Sequence, residues 1–199
     1  MSSQVYEAPR RGLNLRQAET VEKLLAAGLE ELREVGHESL TIRSVAQRAN
    51  VSPATAYTYL ASKNHLFAEL FWRHLVSDES VAMPDDRSPV ARVQNAVRQL
   101  THRIVEEPEL AAAVTPALLG STPDVERLRL RIGGEFLSRF EEALKDPKHP
   151  DEPADPAVLE TLVLTFSGGL LQAGMGVMTY DQIAERLVSA VDVIMRGNG

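Results

Sequence analysis

The sequence predicts an all-α protein of about nine helices, arranged as an N-terminal and a C-terminal helical domain. Apolar residues recur at helical spacing along most of the chain, and several of these stripes begin at a serine or threonine cap or at a proline. Clusters of proline and glycine separate the stripes. The 199 residues are 44% hydrophobic, which is typical of a globular chain that is long enough to bury a core.

A flexible arm is predicted over residues 1–13, which lack an apolar run and therefore do not resemble a secretory signal. The first domain is predicted over residues 14–77. Its first helix, from Asn14 to Val35, has one apolar face, and Gly36 follows as a helix stop. We expect this helix to support the domain.

Two short helices separated by a tight turn are predicted over residues 41–60. Thr41 suits the cap of the first helix, because its hydroxyl can accept a hydrogen bond from an unpaired amide. Asn50 suits the turn, because asparagine tolerates the left-handed conformation. Ser52 caps the second helix with Pro53 at its first position, and Ser62 caps a further helix that ends near residue 76. Many folds contain such a helix-turn-helix corner, so its geometry leaves the function open.

The residue types on the second short helix suit the major groove of DNA. Pro53 and Ala54 are small enough for a close approach, while Thr55 and Thr58 can contact base edges. Amides at the helix start, together with tyrosine and lysine side chains, suit phosphates. The candidate DNA-binding residues are Thr41, Arg43, Ser52, Pro53, Ala54, Thr55, Tyr57, Thr58, Tyr59 and Lys63.

The distribution of acidic residues favours DNA binding by this segment. No aspartate or glutamate occurs from Ser39 to Ala68, although the chain holds 28 of them. Residues 1–65 hold 8 basic and 7 acidic residues, whereas residues 66–199 hold 13 basic and 21 acidic residues. Phosphate repulsion would penalise acids on a DNA-facing surface, and the acidic remainder would orient the molecule on the duplex.

The segment resembles the DNA-binding domain of the TetR family of transcriptional regulators. The resemblance covers about residues 14–76, and the chain has Ala54, Ala56 and Leu60 where the family often has Gly, Leu and Phe. It implies a homodimeric regulator of a palindromic operator, in most relatives a repressor that a small-molecule effector releases. The matching residues are Gly36, Leu40, Thr41, Val45, Ala46, Ala49, Val51, Ser52, Thr55, Tyr57, Tyr59, Leu60, Ser62, Lys63, Leu66 and Phe67.

The second domain is predicted over residues 88–199, after a linker at 77–89 that is rich in proline and acid. Its helices are predicted at residues 88–106, 109–119, 124–145, 157–180 and 181–195, with a surface loop at 145–156. The pair Gly133-Gly134 interrupts the third of these helices. It marks either a kink or a close contact with a ligand or another helix.

Residues 161–180 carry no charge, and about 20 apolar residues can span a membrane. The glycines and polar residues in this stretch and the lack of a basic flank favour instead a helix buried on most sides. The last two helices are predicted to pair with those of a second subunit, as the resemblance also implies. The candidate interface residues are Leu170, Ala173, Gly174, Leu187, Val191 and Ile194.

An effector pocket is predicted to be largely apolar, with a few polar groups that fix the orientation of the ligand. Trp72 fits core packing as well as a cavity wall, and His102 fits a surface position as well as a ligand contact. The candidate pocket residues, chosen by helical face and side-chain type, are Trp72, His102, Arg103, Phe136, Phe140, Phe166 and Gln172.

Several kinds of chemistry find no support in the sequence. The chain has no cysteine, and none of its five histidines stands at metal-ligand spacing. It also lacks a glycine-rich phosphate loop and a nucleophile elbow. We therefore expect a cytoplasmic DNA-binding regulator without enzymatic activity, cofactor, metal or membrane partner. The alternative is a helical ligand carrier or interaction protein that lacks specific DNA binding.

Overall fold

The computed structural model describes residues 15–77, 88–146, 149 and 152–196. Within these ranges the structure is all-α, as the sequence predicts, and the predicted arm and most of the predicted linker lie outside them. The described helices are α1 (Leu15–Ser39), α2 (Ile42–Arg48), α3 (Pro53–Tyr59), α4 (Lys63–Val76), α5 (Pro89–Val105), α6 (Pro108–Leu118), α7 (Pro123–Leu144), α8 (Pro156–Gly174) and α9 (Tyr180–Ile194).

Helices α1 to α4 form the head of the molecule, and the predicted caps set where its short helices begin. The Thr41 hydroxyl accepts from the Ser44 amide at 3.1 Å, and the Ser44 hydroxyl accepts from the Thr41 amide at 3.2 Å. Ser52 accepts from the Thr55 amide, and Ser62 caps α4 in the same way. These bonds satisfy amides that have no partner within the helix, so α2, α3 and α4 begin at fixed residues.

Two residues of the head have positive φ angles, and both lie at bends. Asn50 has φ 54° in the turn between α2 and α3, which confirms the predicted left-handed turn. Gly36 has φ 74° near the end of α1, where the chain bends but helical structure continues to Ser39. The predicted stop at Gly36 is therefore a kink, and α1 ends three residues later.

Helices α5 to α9 form the body, in which α8 packs against α6, α7 and α9. Three phenylalanines fill its centre, with Phe166 edge-to-face against Phe136 at 5.0 Å and against Phe140 at 5.4 Å between ring centroids. The stretch predicted as one helix over residues 157–180 ends at Gly174. Gly176 has φ 72° in the turn that follows, and Thr179 caps α9, so Tyr180 belongs to the next helix.

The paired glycines of α7 are neither a break nor a close contact within the described part of the chain. Helix α7 runs continuously from Pro123 to Leu144. A Cβ atom built at Gly133 or Gly134 would meet no described atom within 4 Å. On the same outer face of α7, Leu130 is 77% exposed and Leu137 is 42% exposed.

Helix α8 has one face in the core and one face in solvent. Leu162, Phe166 and Ala173 are buried, whereas Leu164 is 65% exposed and Met175 is 59% exposed. The prediction of a helix buried on most sides is therefore wrong for a single chain. Among the described helices, α8 alone is long and apolar enough by length and composition to cross a membrane. The inner face of α8, with Leu162, Phe166 and Ala173, packs in the hydrophobic core of the body.

Candidate DNA-binding surface and effector cavity

The ten candidate DNA-binding residues lie on α2, α3, the turns beside them and the first turn of α4. Thr55, Tyr59 and Lys63 are half-buried there. The remaining seven are exposed: Thr41, Arg43, Ser52, Pro53, Ala54, Tyr57 and Thr58. The structure thus brings most of the set together on one open surface around the short helix α3.

The hydroxyl groups on α3 have local partners that orient them. The Ser52 and Thr55 oxygens lie 2.8 Å apart, and Ser52 also accepts from the Thr55 amide at 3.1 Å. Thr58 donates to the Ala54 carbonyl at 3.0 Å. A hydroxyl held in this way still offers acceptor lone pairs, and a threonine still offers its methyl group, so base contacts remain possible.

Arg43 and Arg48 both lie on α2, but their surroundings differ. Arg43 is exposed and forms no hydrogen bond or ion pair with any residue that the structure describes. Arg48 instead contacts Glu31 at 2.7 Å and also Glu34, both on α1. Glu31 raises the pKa of Arg48, and the guanidinium lowers the pKa of Glu31. Arg48 therefore joins α1 to α2, whereas the Arg43 side chain has no such partner among the described residues.

Lys63 was predicted to contact phosphate, but its ammonium group is already engaged within the head. It donates to the backbone carbonyls of His37 at 2.9 Å and Glu38 at 3.1 Å. A cation is stabilised there because the last carbonyls of a helix lack backbone donors. His65 is 1% exposed, and its Nδ1 accepts from the Ala61 amide, so it adds no charge to the surface.

A small apolar cavity of about 60 Å³ lies in the body next to the head. Phe136 is the only candidate pocket residue among its lining residues, and Phe166 supports Phe136 from the core side through the edge-to-face contact. Phe140 is fully buried beside Phe166. The residues that line the cavity are Phe71, Ile104, Val114, Thr115, Leu118, Ile132, Phe136, Leu170 and Tyr180.

The other four candidate pocket residues lie outside this cavity. Trp72 is half-buried, and the guanidinium carbon of Arg131 lies 4.6 Å from the centroid of the Trp72 ring. Arg103 donates to the His74 carbonyl at 3.0 Å and to Glu106 at 2.7 Å. Gln172 is exposed on α8. The His102 side chain is 77% exposed and lines a surface groove. The candidate pocket residues were chosen by helical periodicity, and the fold places them in different parts of the body.

The groove that contains His102 is open to solvent and has a volume of about 200 Å³. Its lining residues are Arg98, Thr101, His102, Val105, Tyr180, Asp181 and Ala184. Tyr180 donates its phenolic proton to the Ala111 carbonyl at 2.8 Å, and burial raises the pKa of this hydroxyl. Sequence reasoning missed Arg98 and Tyr180. The only available signal for Tyr180 was an aromatic residue directly after the helix cap Thr179.

The six candidate interface residues face the core of their own chain. Ala173, Leu187 and Val191 are buried, and Ile194 is half-buried against the core. Leu170 lines the cavity. A side chain at Gly174 would overlap Thr115 of α6, so this glycine permits a close approach of helices within one chain. Both faces of α8 are apolar, so periodicity could not tell the inner face from the outer one.

The outer face of α8 carries a second apolar stripe. Leu164, Gly168, Leu171 and Met175 follow one another at helical spacing, and a Cβ atom at Gly168 would meet no described atom within 4 Å. Leu171 is 38% exposed, and Val193 of α9 is 65% exposed. The four residues from Leu164 to Met175, which we call the outer stripe, form an apolar and largely exposed row along α8.

The head contacts the body through α1 and α4, which both pack against α6. Arg33 of α1 forms an ion pair with Glu107, and its Nε lies 3.0 Å from the carboxylate. The guanidinium lowers the pKa of Glu107. Phe71 of α4 lines the cavity, so a helix of the head forms part of the cavity wall.

Comparisons with known proteins agree with this architecture. Residues 24–70 match the model of the bacterial regulatory proteins of the tetR family. An uncharacterised HTH-type transcriptional regulator of Mycobacterium tuberculosis is 42% identical over 191 residues, which cover 92% of this chain and 84% of that protein. The HTH-type transcriptional repressor KstR of Rhodococcus jostii is 33% identical over 137 residues, which cover 68% of this chain and 65% of that repressor.

A solved structure shares the fold over nearly the whole chain. The TetR transcriptional regulator from Rhodococcus sp. RHA1 superposes with a TM-score of 0.66 at 20% identity, covering 92% of this chain and 98% of its own. The family match covers α2, α3 and most of α1 and α4, which carry the candidate DNA-binding surface. This chain is therefore a DNA-binding transcriptional regulator, and it belongs to the TetR family.

Proposed function

We propose that this regulator is a homodimeric repressor that binds a palindromic operator through α2 and α3. The observation that carries the proposal is the exposed surface around α3, formed by a segment without aspartate or glutamate and with Arg43 free to contact phosphate. The similarity to KstR, which is named a repressor, supports repression rather than activation. We assign residues 14–77 to DNA binding and residues 88–199 to dimerisation and effector binding, with residues 1–13 as an arm. Because the chromosome lies in the cytoplasm, we place the protein there.

The outer stripe is our proposed dimer interface, in place of the inward residues that the sequence suggested. Leu164, Leu171 and Met175 expose apolar surface that a second copy of the same helix would bury. Two-fold pairing through this face would present two α3 helices to successive major grooves, about 34 Å apart on the duplex. A palindromic operator matches such a two-fold protein because each half-site contacts one head.

Release by an effector would use the wall that the body shares with the head. Phe71 of α4 lines the cavity, as do Val114 and Leu118 of α6. A ligand that binds better when these helices move apart would shift the population towards that arrangement. Because α4 is itself part of the head, the spacing of the two heads would change and operator affinity would fall.

The decisive experiment is selection of DNA fragments that the purified protein binds from its source genome. We expect two inverted half-sites about one helical turn apart, and affinity that falls steeply as salt rises because counterions are recaptured. Affinity for the selected fragments that is weak and flat with salt would contradict the DNA-binding assignment. Fragments with a single half-site, bound by a monomer, would contradict only the dimer.

A further inference from the structure

Tyr180 lines both the surface groove and the apolar cavity. Among the described residues it is the only one that lines both volumes. The groove is open to solvent and carries charged side chains, whereas the cavity is less open and is lined mainly by apolar side chains from α4, α5, α6, α7 and α8. Tyr180 therefore borders both a polar entrance and an apolar interior.

The polar entrance has one cation available for a ligand. Arg98 is exposed and forms no side-chain hydrogen bond or ion pair with the described part of the chain. His102 lies 3.7 Å from Glu106, and the Thr101 hydroxyl donates to the Val97 carbonyl, so both are partly engaged. Asp181 also lines the groove and would repel an anion near it. An acidic group would therefore bind at Arg98 on the α5 side, where bidentate geometry favours a carboxylate.

The interior suits only an apolar group. Apart from Tyr180, Thr115 supplies the only side-chain hydroxyl of the cavity lining. The volumes of about 200 Å³ and about 60 Å³ both lie below the roughly 300 Å³ at which sites for drug-sized ligands begin. Displacing the Tyr180 ring would join the two volumes and add the space that the ring vacates.

Hydrogen bonds to α6 hold that ring in place, one with the Ala111 carbonyl and one with the Thr115 side chain. The Tyr180 hydroxyl donates to the Ala111 carbonyl of α6 at 2.8 Å, and Tyr180 is the first residue of α9, next to its cap Thr179. We propose that Tyr180 is the gate of the effector site and that the effector is an amphipathic acid. Its acidic group binds Arg98 in the groove, and its apolar part displaces the Tyr180 ring and enters the cavity.

This proposal rests on the proposed release of a repressor and names the ligand class of that release. Opening the gate breaks the bonds to α6, and the apolar part then contacts α6 and Phe71 of α4. Both helices contact the head or belong to it, so an occupied cavity acts on the DNA-binding surface by direct packing.

The test is calorimetric titration of the full chain with octanoate, and with octanol and octylamine as head-group controls. We expect saturable octanoate binding at one molecule per chain, and at least tenfold weaker binding of octylamine. Arg98→Gln should weaken octanoate binding about tenfold or more and leave octanol binding within twofold. Arg186→Gln, an exposed arginine of α9 outside the groove, is the matched control and should bind octanoate like the natural protein.

Tyr180→Phe tests the gate separately, because it keeps the ring but removes the hydroxyl that bonds to Ala111 and Thr115. We expect octanoate to bind severalfold more tightly to this variant, because displacing the ring costs less free energy without the hydroxyl. Weaker binding, or binding equal to that of the natural protein, would overturn the gate. Equal binding of octanoate and octylamine, or equal losses in Arg98→Gln and Arg186→Gln, would overturn the acid site.

Operator binding, measured by fluorescence anisotropy on the selected fragments, separates this proposal from the one on which it rests. A chain that binds the operator but not octanoate refutes the gated site and leaves the proposed repressor intact. A chain that binds octanoate in an Arg98-dependent way but binds no operator refutes the repressor and leaves the site intact. Octanoate that both binds and weakens operator affinity supports the two together.

Discussion

The Lys63 ammonium donates a hydrogen bond to the His37 carbonyl at 2.9 Å, which joins the first residue of α4 to the last turn of α1. A second bond, to the Glu38 carbonyl at 3.1 Å, completes the contact. The helix end that Lys63 satisfies lies just beyond the kink at Gly36, so the lysine fixes the bent end of α1 against α4. Lys63 is thus a structural residue of the head.

Replacing Lys63 with alanine should therefore reduce stability more than it reduces DNA affinity. We expect Lys63→Ala to lower the free energy of unfolding by about 1–2 kcal/mol, because two carbonyls lose a charged donor. Urea unfolding measures this, with Lys23→Ala on the exposed side of α1 as the control. Unchanged stability combined with tenfold weaker operator binding would instead show that Lys63 contacts phosphate.

Alanine variants of Arg43 and Arg48 should differ in how their DNA affinity depends on salt concentration. Arg43 has no described partner, so we expect Arg43→Ala to weaken binding to all DNA sequences and to reduce the salt slope by about 1. Arg48→Ala should lower the midpoint of urea unfolding, because Glu31 loses its contact at 2.7 Å, and should leave the slope unchanged. The same change of slope in both variants would refute the difference in roles.

The ion pair between Arg33 and Glu107 predicts a pH-dependent contact between head and body. The pKa of Glu107 is lowered by Arg33, so its contribution to stability is complete above the usual carboxyl range and is lost as the pH falls through the lowered pKa. Arg33 is 54% exposed, so solvent screening limits the coupling to about 0.5 kcal/mol. A double-mutant cycle with Arg33→Ala and Glu107→Ala should give this coupling at neutral pH, and the coupling should decrease as the pH falls through the lowered pKa of Glu107.

How much of this architecture could be predicted depends on how far apart in sequence the interacting groups lie. Thr41, Ser52 and Ser62 were predicted as caps, and the structure confirms each one, because a cap and its amide are three residues apart. The left-handed turn at Asn50 is equally local. Local chemistry thus predicted the helix-turn-helix with nearly correct boundaries.

The features that the sequence could not indicate are contacts between distant helices. Lys63 and the His37 carbonyl are separated by 26 residues, and nothing in the residue types near Lys63 indicates that partner. Leu187 and Leu164 look alike in sequence, yet the first is buried and the second is exposed. Tyr180 borders both a groove and a cavity only because α5, α6 and α9 converge on it. Such placements follow from the packing of helices, which periodicity does not determine.

The turn between α2 and α3 gives a prediction that depends on backbone conformation alone. Asn50 has φ 54°, a region that alanine enters at a cost of about 1 kcal/mol and glycine enters freely. We expect Asn50→Ala to lower the free energy of unfolding by that amount and Asn50→Gly to remain close to the natural protein. Urea unfolding compares the two variants. Equal stabilities would show that the turn relaxes to another conformation.

The last prediction concerns which apolar face pairs two subunits. Leu164 of α8 and Leu130 of α7 are both leucines in mid-helix, 65% and 77% exposed, so a glutamate at either position costs little in an isolated chain. If the outer stripe is the interface, Leu164→Glu should give monomers in sedimentation equilibrium, because a charge would be buried against apolar surface without a partner. Operator binding should then weaken by at least tenfold, because a monomer contacts one half-site and loses the gain from binding two linked half-sites. Leu130→Glu should remain dimeric and bind the operator. The opposite result, with only Leu130→Glu dissociating, would assign the interface to α7. Gly133 and Gly134 would then make the close helix contact that they lack within the described part of the single chain.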